Sequence, residues 1–336
     1  MTNLLEIRNL TVEFRTRAGT VHAVNGVDLD VAPGEILGLV GESGCGKTVS
    51  VLSILRLLPA RARVVAGEVK FAGRDLLVLS KRELRAIRGR EIGTIFQDPL
   101  TSLHPSARIG NQVGEALRAH DRRLSRSAAR SRAIDLLADV GVPNPSERAR
   151  QYPHEWSGGM RQRSMIAMAI ANRPRLLIAD EPTSALDAIT QAQVVEVIRT
   201  AQRETGAATI LVSHDLGLLA QLADRVAVMY GGRVVETADV DTLFAFPKHP
   251  YTVGLLTSLR ALAKSGERLV PIGGHPPVLM DVPTGCTFEP RCWLGSGRDA
   301  CRLDSPQLVA VGQNGHQCAC HFSESVGPQP RPPDRC

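Results

Sequence analysis

The stretch Gly41-Glu42-Ser43-Gly44-Cys45-Gly46-Lys47-Thr48 is the part of the chain best equipped for chemistry. It matches the spacing G-x-x-x-x-G-K-[ST] at every fixed position. Gly41, Gly44 and Gly46 let backbone N–H groups, with those of Ser43 and Cys45, crowd around phosphate oxygens. A helix N-terminus directly after the loop adds the positive end of its dipole. Lys47 is placed to reach the β- and γ-phosphates of a nucleotide, and the Thr48 hydroxyl to ligate Mg²⁺. A second reactive stretch is Leu176-Leu177-Ile178-Ala179-Asp180-Glu181, an apolar run ending in two carboxylates. Asp180 is suited to hold Mg²⁺ through water, and Glu181 to polarise a water aimed at the γ-phosphate. Without the phosphate loop, the same two acids would read as a solvated strand end. A third is Trp156-Ser157-Gly158-Gly159, just ahead of a long helical run, which makes a second anion-binding helix start.

These residues need rigid supports, and the pattern supplies them. Glu35–Val40 reads as a buried strand feeding the loop, and Thr48–Leu58 as a helix ended by Pro59. Alternating segments at 5–7, 11–15 and 27–31 predict antiparallel strands. Further strands are expected near 68–71 and 92–96, and at 176–179, 209–212 and 225–229. Between about residues 102 and 173 the apolar spacing turns helical. The alternation predicts an α/β sheet interrupted by a helical insertion.

Composition sets the bounds. The 336 residues, 43% of them apolar, predict two or three domains with a proper core. No apolar run is long enough to span a membrane. Met1–Glu6 lacks a basic stretch followed by an apolar one, so no signal peptide is expected and the chain is predicted to be cytoplasmic. The net charge of +6 is a mild bias, carried almost wholly by arginine. The cluster Arg118, Arg122, Arg123, Arg126, Arg130 and Arg132 is not interleaved with aromatics, which favours a solvated helix face over nucleic-acid binding.

Four motifs in order — the phosphate loop, Ser157-Gly158-Gly159, Asp180-Glu181 and Ser213-His214-Asp215 — resemble the set of an ABC-type ATPase over roughly residues 4–240. The resemblance implies an α/β fold: an ABC-type P-loop ATPase core with an antiparallel β subdomain and a helical subdomain. It implies ATP and Mg²⁺ as cofactors, with ATP sandwiched between the phosphate loop of one subunit and the Ser-Gly-Gly of another. By the same resemblance Gln97 is the lid-loop glutamine that senses the γ-phosphate and the transporter, and it joins Thr48 and Asp180 as a Mg²⁺ residue. Asp187 crosses the dimer interface, His214 contacts the γ-phosphate, and Phe14 stacks on adenine. Two positions depart from the usual signature, Trp156 and Met160.

Residues 95–105, 152–163 and Lys248-His249-Pro250-Tyr251-Thr252 narrow the resemblance to the ATPase subunits of bacterial oligopeptide, dipeptide and nickel importers. That implies a second, different ATPase subunit as partner, two transmembrane permease subunits and an extracytoplasmic solute-binding protein. It places the chain at the cytoplasmic face of the inner membrane. A soluble ABC ATPase outside transport is the alternative, but this chain has neither a second cassette nor a long coiled coil. Intact Glu181 and His214 speak against a subunit that binds ATP without hydrolysing it.

Beyond about residue 240 the composition shifts to Pro, Gly and Cys. Six of seven cysteines lie there: Cys286, Cys292, Cys301, Cys318, Cys320 and Cys336. Clustered cysteines in a reducing compartment suggest metal before disulfide. The segment resembles the C-terminal extension of peptide-importer ATPases, which can hold a [4Fe–4S] cluster; that assigns Cys286, Cys292 and Cys301 as ligands, with Cys320, preferred over Cys318 because Cys320-His321 matches the family's final Cys-His, as the fourth. Zn²⁺ and free thiols are the alternatives. The expected division is 1–240 for the ATPase, 241–323 for a small Cys-rich extension, and a disordered tail over 324–336.

Overall fold

The computed structural model describes residues 3–184, 186–263, 272–277, 279–280, 282–312 and 315–327. The strands are β1 (Leu5–Thr16), β2 (Gly19–Val31), β3 (Ile36–Val40), β4 (Ala62–Phe71), β5 (Arg74–Asp75), β6 (Ile92–Ile95), β7 (Leu176–Asp180), β8 (Ala208–Val212), β9 (Arg225–Tyr230), β10 (Arg233–Asp239), β11 (Val309–Ala310) and β12 (Gln317–Cys318). The first helices are α1 (Lys47–Ile54), α2 (Lys81–Ile87), α3 (Pro99–Ser102), α4 (Ile109–Arg118), α5 (Arg126–Asp139) and α6 (Pro145–Arg148). They are followed by α7 (Gly158–Ile170), α8 (Ala188–Thr205), α9 (Leu216–Leu222), α10 (Val240–Ala245), α11 (Pro250–Ala263) and α12 (Asp299–Leu303). No described helix is long and apolar enough to cross a membrane.

The chain divides into two compact units. One is built mainly from Val31–Ile36 and Val78–Val212. In it β6, β7 and β8 pair in parallel, with Ile92 opposite Leu176 and Asp180 opposite Val212. Every residue of β7 and β8 is buried, as strands covered on both faces must be. The helical insertion packs α4 on α5 and α7. Helix α4 earns its place through a stripe at helical spacing, Ile109, Val113 and Leu117, all buried.

The other unit holds Leu5–Asp30, Leu37–Leu77 and the described residues from Ser213 onward. It carries the antiparallel sheet β2-β1-β4-β5. Here too β3 runs parallel to β9, β9 turns back into antiparallel β10, and β10 continues into β12 and β11. The segment after residue 240 therefore adds a strand of its own to the ATPase strands, with Glu236 opposite Cys318. Buried Glu236 ties the same region together: it accepts the backbone N–H groups of Lys248 and His249 and meets His316 Nε2 at 2.8 Å.

The structure moves several expected boundaries. The two N-terminal strands run longer than the alternating segments, and β10 was not expected. Helix α1 stops at Ile54, not at Leu58 before Pro59. Arg56 takes a left-handed backbone (φ +51°), and the N–H groups of Arg56 and Leu57 close onto the carbonyls of Ser53 and Leu52. That is a helix terminator in its own right, reached before the proline. Of the tail expected to be disordered, Glu324 and Ser325 instead belong to the 3₁₀ turn Ser323–Ser325 and Val326 is buried, while 328–336, with Cys336, lie outside the described residues.

Candidate functional site

The phosphate loop follows β3 and ends at α1, whose N-cap is Gly46. Gly46 has φ +103°, and a Cβ there would run into the Ala23 carbonyl oxygen. Gly41 is held as tightly, against the Met229 carbonyl oxygen and the Cys45 sulfur. The two glycines are thus required by space as well as by backbone angle. Lys47 is buried, and its ammonium donates to the carbonyl oxygens of Gly41 at 2.7 Å and Glu42 at 2.9 Å, with Cys45 Sγ at 3.7 Å. The cation thereby spans the loop it belongs to. Burial pushes the Cys45 thiol up, against the opposing pull of Lys47. Thr48 and Ser43 complete the loop, Ser43 exposed and Thr48 half-buried.

The loop is braced from behind by residues to which the sequence assigned no role at the phosphate loop. Arg291 grips the Glu42 carboxylate with both terminal nitrogens, at 2.7 and 2.9 Å. The Tyr251 hydroxyl accepts the Glu42 N–H at 2.8 Å. Tyr251 packs with Tyr230 and Phe288 at ring separations of 4.6 and 5.4 Å. The only sequence signal was a carboxylate inside a phosphate loop, which calls for a cation nearby. Also in this unit, His214 is exposed and follows Ser213, whose hydroxyl accepts the Asp215 N–H at 2.9 Å. Phe14 is half-buried on β1, with the Arg61 guanidinium 5.9 Å from its ring centre.

In the other unit β7 delivers Asp180, 4% exposed, and then Glu181. Glu181 adopts φ +46°, a conformation that costs a non-glycine residue energy and clusters at functional sites. Gln97 Nε2 donates to Glu181 Oε2 at 2.9 Å. Ser184 Oγ donates to the Glu181 carbonyl at 2.9 Å. Gln97 and Glu181 are thus brought together, although 84 residues apart.

Ser157 caps α7, accepting the Met160 N–H at 3.4 Å, and Ser157 and Gly158 are exposed. Gly159 is buried against Thr190, where a Cβ would collide with the Thr190 methyl. Asp187 caps α8 and receives the Thr190 N–H at 3.0 Å and hydroxyl at 2.7 Å. The signature turn and Asp187 therefore share one anchor, Thr190. Its neighbour Ala185, in the stretch leading to Asp187, lies outside the described residues. The departures from the usual signature fall differently: Trp156 is 2% exposed and fills the core, while Met160 is half-buried.

Cys286, Cys292, Cys301 and Cys320 line one small cavity of about 10 Å³, together with Phe288, Glu289 and His321. Cys318 is not among its lining residues; it sits fully buried on β12 beside Glu236. Burial pushes the Cys286 thiol up to about 11 and Cys320 up to about 12, and raises Cys292 and Cys301 as well. Backbone N–H groups nonetheless point at three of the sulfurs. Gly295 donates to Cys292 at 3.1 Å and Phe322 to Cys320 at 3.4 Å, and Cys286 is met from Phe288 and Glu289. Such donors favour a thiolate once protons are displaced. The donor set fits a four-thiolate group in number and kind. Among the described residues no three His, Cys, Asp or Glu groups stand close enough to hold a single metal ion, so the structure itself offers no ready zinc site and shows no iron–sulfur site.

Comparison with known proteins agrees with this geometry. The ABC transporter family matches residues 24–184, and the oligopeptide/dipeptide transporter C-terminal region matches residues 235–301. The chain is 50% identical over 293 residues to the dipeptide transport ATP-binding protein DppD of Bacillus subtilis (strain 168), covering 87% of each. It is 47% identical over 327 residues to the oligopeptide transport ATP-binding protein OppD of Mycobacterium tuberculosis (strain ATCC 25618 / H37Rv), and spans 97% of this chain but only 53% of that longer one. Among solved structures, the dimeric post-hydrolysis ATP-binding cassette MJ0796 bound to ADP and Pi superposes with a TM-score of 0.64 at 27% identity, over 70% of this chain and 98% of that one. The chain belongs to the ATP-binding subunits of ABC transporters of the oligopeptide/dipeptide type.

Proposed function

We propose that this chain is the ATP-hydrolysing subunit that powers a peptide importer, with Glu181 as the base that activates water. The observation that carries the assignment is Glu181 itself. It stands at the end of a buried parallel strand, strained at φ +46° and tethered by Gln97. The tether uses the donor nitrogen of the Gln97 amide and leaves its oxygen, the atom a hard cation takes. By residue type, Thr48, Gln97 and Asp180 are the oxygen donors that would hold Mg²⁺. Mg²⁺ supplies charge neutralisation on the β- and γ-phosphates. Lys47 and the N–H groups of Gly44–Thr48 hold the phosphates, and His214 steadies the γ-phosphate. Phe14 offers a ring face to adenine. Catalysis is then positioning and charge neutralisation, with little covalent work for the protein.

Ser157, Gly158, Gly159 and Asp187 complete the site of a second ATPase subunit, in the head-to-tail manner of the family. A different chain suits that role better than a second copy, because Met160 stands where the partner type carries glutamine. At the cytoplasmic membrane face the two ATPase subunits work on two permease subunits, which an extracytoplasmic solute-binding protein serves from the other side. Nucleic acid is not part of this reading, and the match to a peptide-transporter C-terminal region does not favour the non-transport alternative. We assign residues 241–323 to an extension of the ATPase core, in which Cys286, Cys292, Cys301 and Cys320 would hold a [4Fe–4S] cluster; that the four line one cavity is the observation in its favour.

Glu181→Gln tests the assignment. It keeps the side-chain size and the Gln97 contact but removes the base. ATP binding is expected to persist while steady-state turnover of the assembled transporter falls by roughly 10²–10⁴-fold. Turnover near wild type would exclude Glu181 as the base.

A further inference from the structure

Glu42 places a negative charge inside a loop that must accept a polyanion. The structure answers that charge from 249 residues away. Arg291 makes the bidentate pair with Glu42, and its side chain is only 5% exposed. Nothing about the guanidinium is left loose: Nε donates to the Gly273 carbonyl at 2.7 Å, Nη2 to the Ile272 carbonyl at 3.3 Å, and Nη1 to the Tyr230 hydroxyl at 3.3 Å. The group also lies 5.6 Å over the Tyr230 ring. On the other side, the Glu42 backbone is fixed at N–H by buried Tyr251 and at the carbonyl by Lys47. Arg291 ends a 3₁₀ turn, Glu289–Arg291, between Cys286 and Cys292. Its direction is set by that turn, which hydrogen-bonds Arg291 N–H to Phe288 and Cys292 N–H to Glu289.

We propose that Arg291 is a positioning residue of the nucleotide site: it cancels the Glu42 charge and, with Tyr251, holds the first turn of the phosphate loop ready for phosphate. The inference rests on the reading that Gly41–Thr48 binds ATP. Without the guanidinium, a partly buried carboxylate would stand unpaired beside the incoming phosphates, where low dielectric strengthens repulsion. With both charges gone, the repulsion goes too. The cysteine-bearing turn is thereby part of the nucleotide site, through one salt bridge.

The experiment is equilibrium binding of ATP and ADP to the purified full-length chain, with Lys47→Ala as the non-binding control and denaturant unfolding to report the folded fraction. Arg291→Gln is expected to weaken ATP binding about tenfold or more, and ATP more than ADP, since the loss scales with ligand charge. Adding Glu42→Gln to Arg291→Gln is expected to restore affinity to within about threefold of wild type. Arg291→Lys, which keeps charge without the fork, is expected to fall between wild type and Arg291→Gln. A purely structural role predicts no rescue by the second substitution. Absence of rescue, or unchanged ATP affinity in folded Arg291→Gln, overturns the proposal. If Arg291→Gln does not fold, the double variant decides alone, by binding within threefold of wild type or tenfold worse. Failure of the wild-type chain to bind ATP would instead overturn the assignment of the loop.

Discussion

Glu181, Gln97 and Lys47 show how much a single residue's surroundings decide. Each is a polar side chain held by a neighbour: Gln97 donates its amide nitrogen to Glu181, and Lys47 is drawn across its own loop. His120 shows how surroundings act on a titrating group. Burial, then the Arg90 charge, pushes its pKa down, opposed by a hydrogen bond to the Arg88 backbone. The unfolded chain takes up a proton near the ordinary value of about 6.5. The folded chain does so only at lower pH, so stability is full above that value and is lost as pH falls through the folded pKa. Denaturant midpoints are expected to fall further between about pH 7.5 and pH 5 for wild type than for His120→Gln, by a small margin because the ring is partly exposed and solvent screens it. Equal drops would remove His120 as a contributor. Local patterns at this scale were legible: the phosphate loop needs only eight contiguous residues. The Arg291–Glu42 pair was not, because its members lie 249 positions apart and neither spacing nor composition links them.

Elements were legible where periodicity was clean and blurred where a terminator lacked its usual residue. Strands β7 and β8 were found within one residue because continuous apolar runs leave little choice. The end of α1 was missed because an arginine, not a glycine, takes the left-handed position there. Strand β10 did carry a signal: Gly231-Gly232, both at positive φ, makes the two-residue turn that sends β9 back. Helix α7 is the element with most at stake, since it presents the signature turn. Ser157→Ala removes its cap and is expected to cost about 0.5–1 kcal/mol of stability, the low end for such caps given the 3.4 Å bond. Its larger effect belongs to the partner. In a heterodimer with only this chain altered, nucleotide cross-linking is expected to fall at the partner's phosphate loop and to persist at Lys47. The reverse pattern would rule out the shared site.

At the scale of the whole molecule, the shift to Pro, Gly and Cys marked the extension, but not how it is fastened. The fastening is a short strand on β10, the buried Glu236 hub with His316 and the start of α11, and Arg291 on the phosphate loop. Buried Tyr251, Leu256 and Phe288 give this segment an apolar anchor of its own, and a group tying four cysteines together would add order to the loops around them. Protein purified without oxygen is expected to be brown and to carry about four irons per chain if the cluster is present. Cys292→Ser is then expected to loosen the extension. Because Cys292 follows Arg291 directly, the loss should travel to the loop: ATP affinity falls in the same direction as for Arg291→Gln, while Glu42→Gln in the Cys292→Ser background recovers part of it. Removing iron from the wild-type chain by oxidation and chelation is expected to do the same, and reconstitution to reverse it. Anaerobic protein with four free thiols at these positions and neither iron nor zinc by elemental analysis would end the metal assignment. The Arg291–Glu42 link would survive that result, since its own test requires no metal.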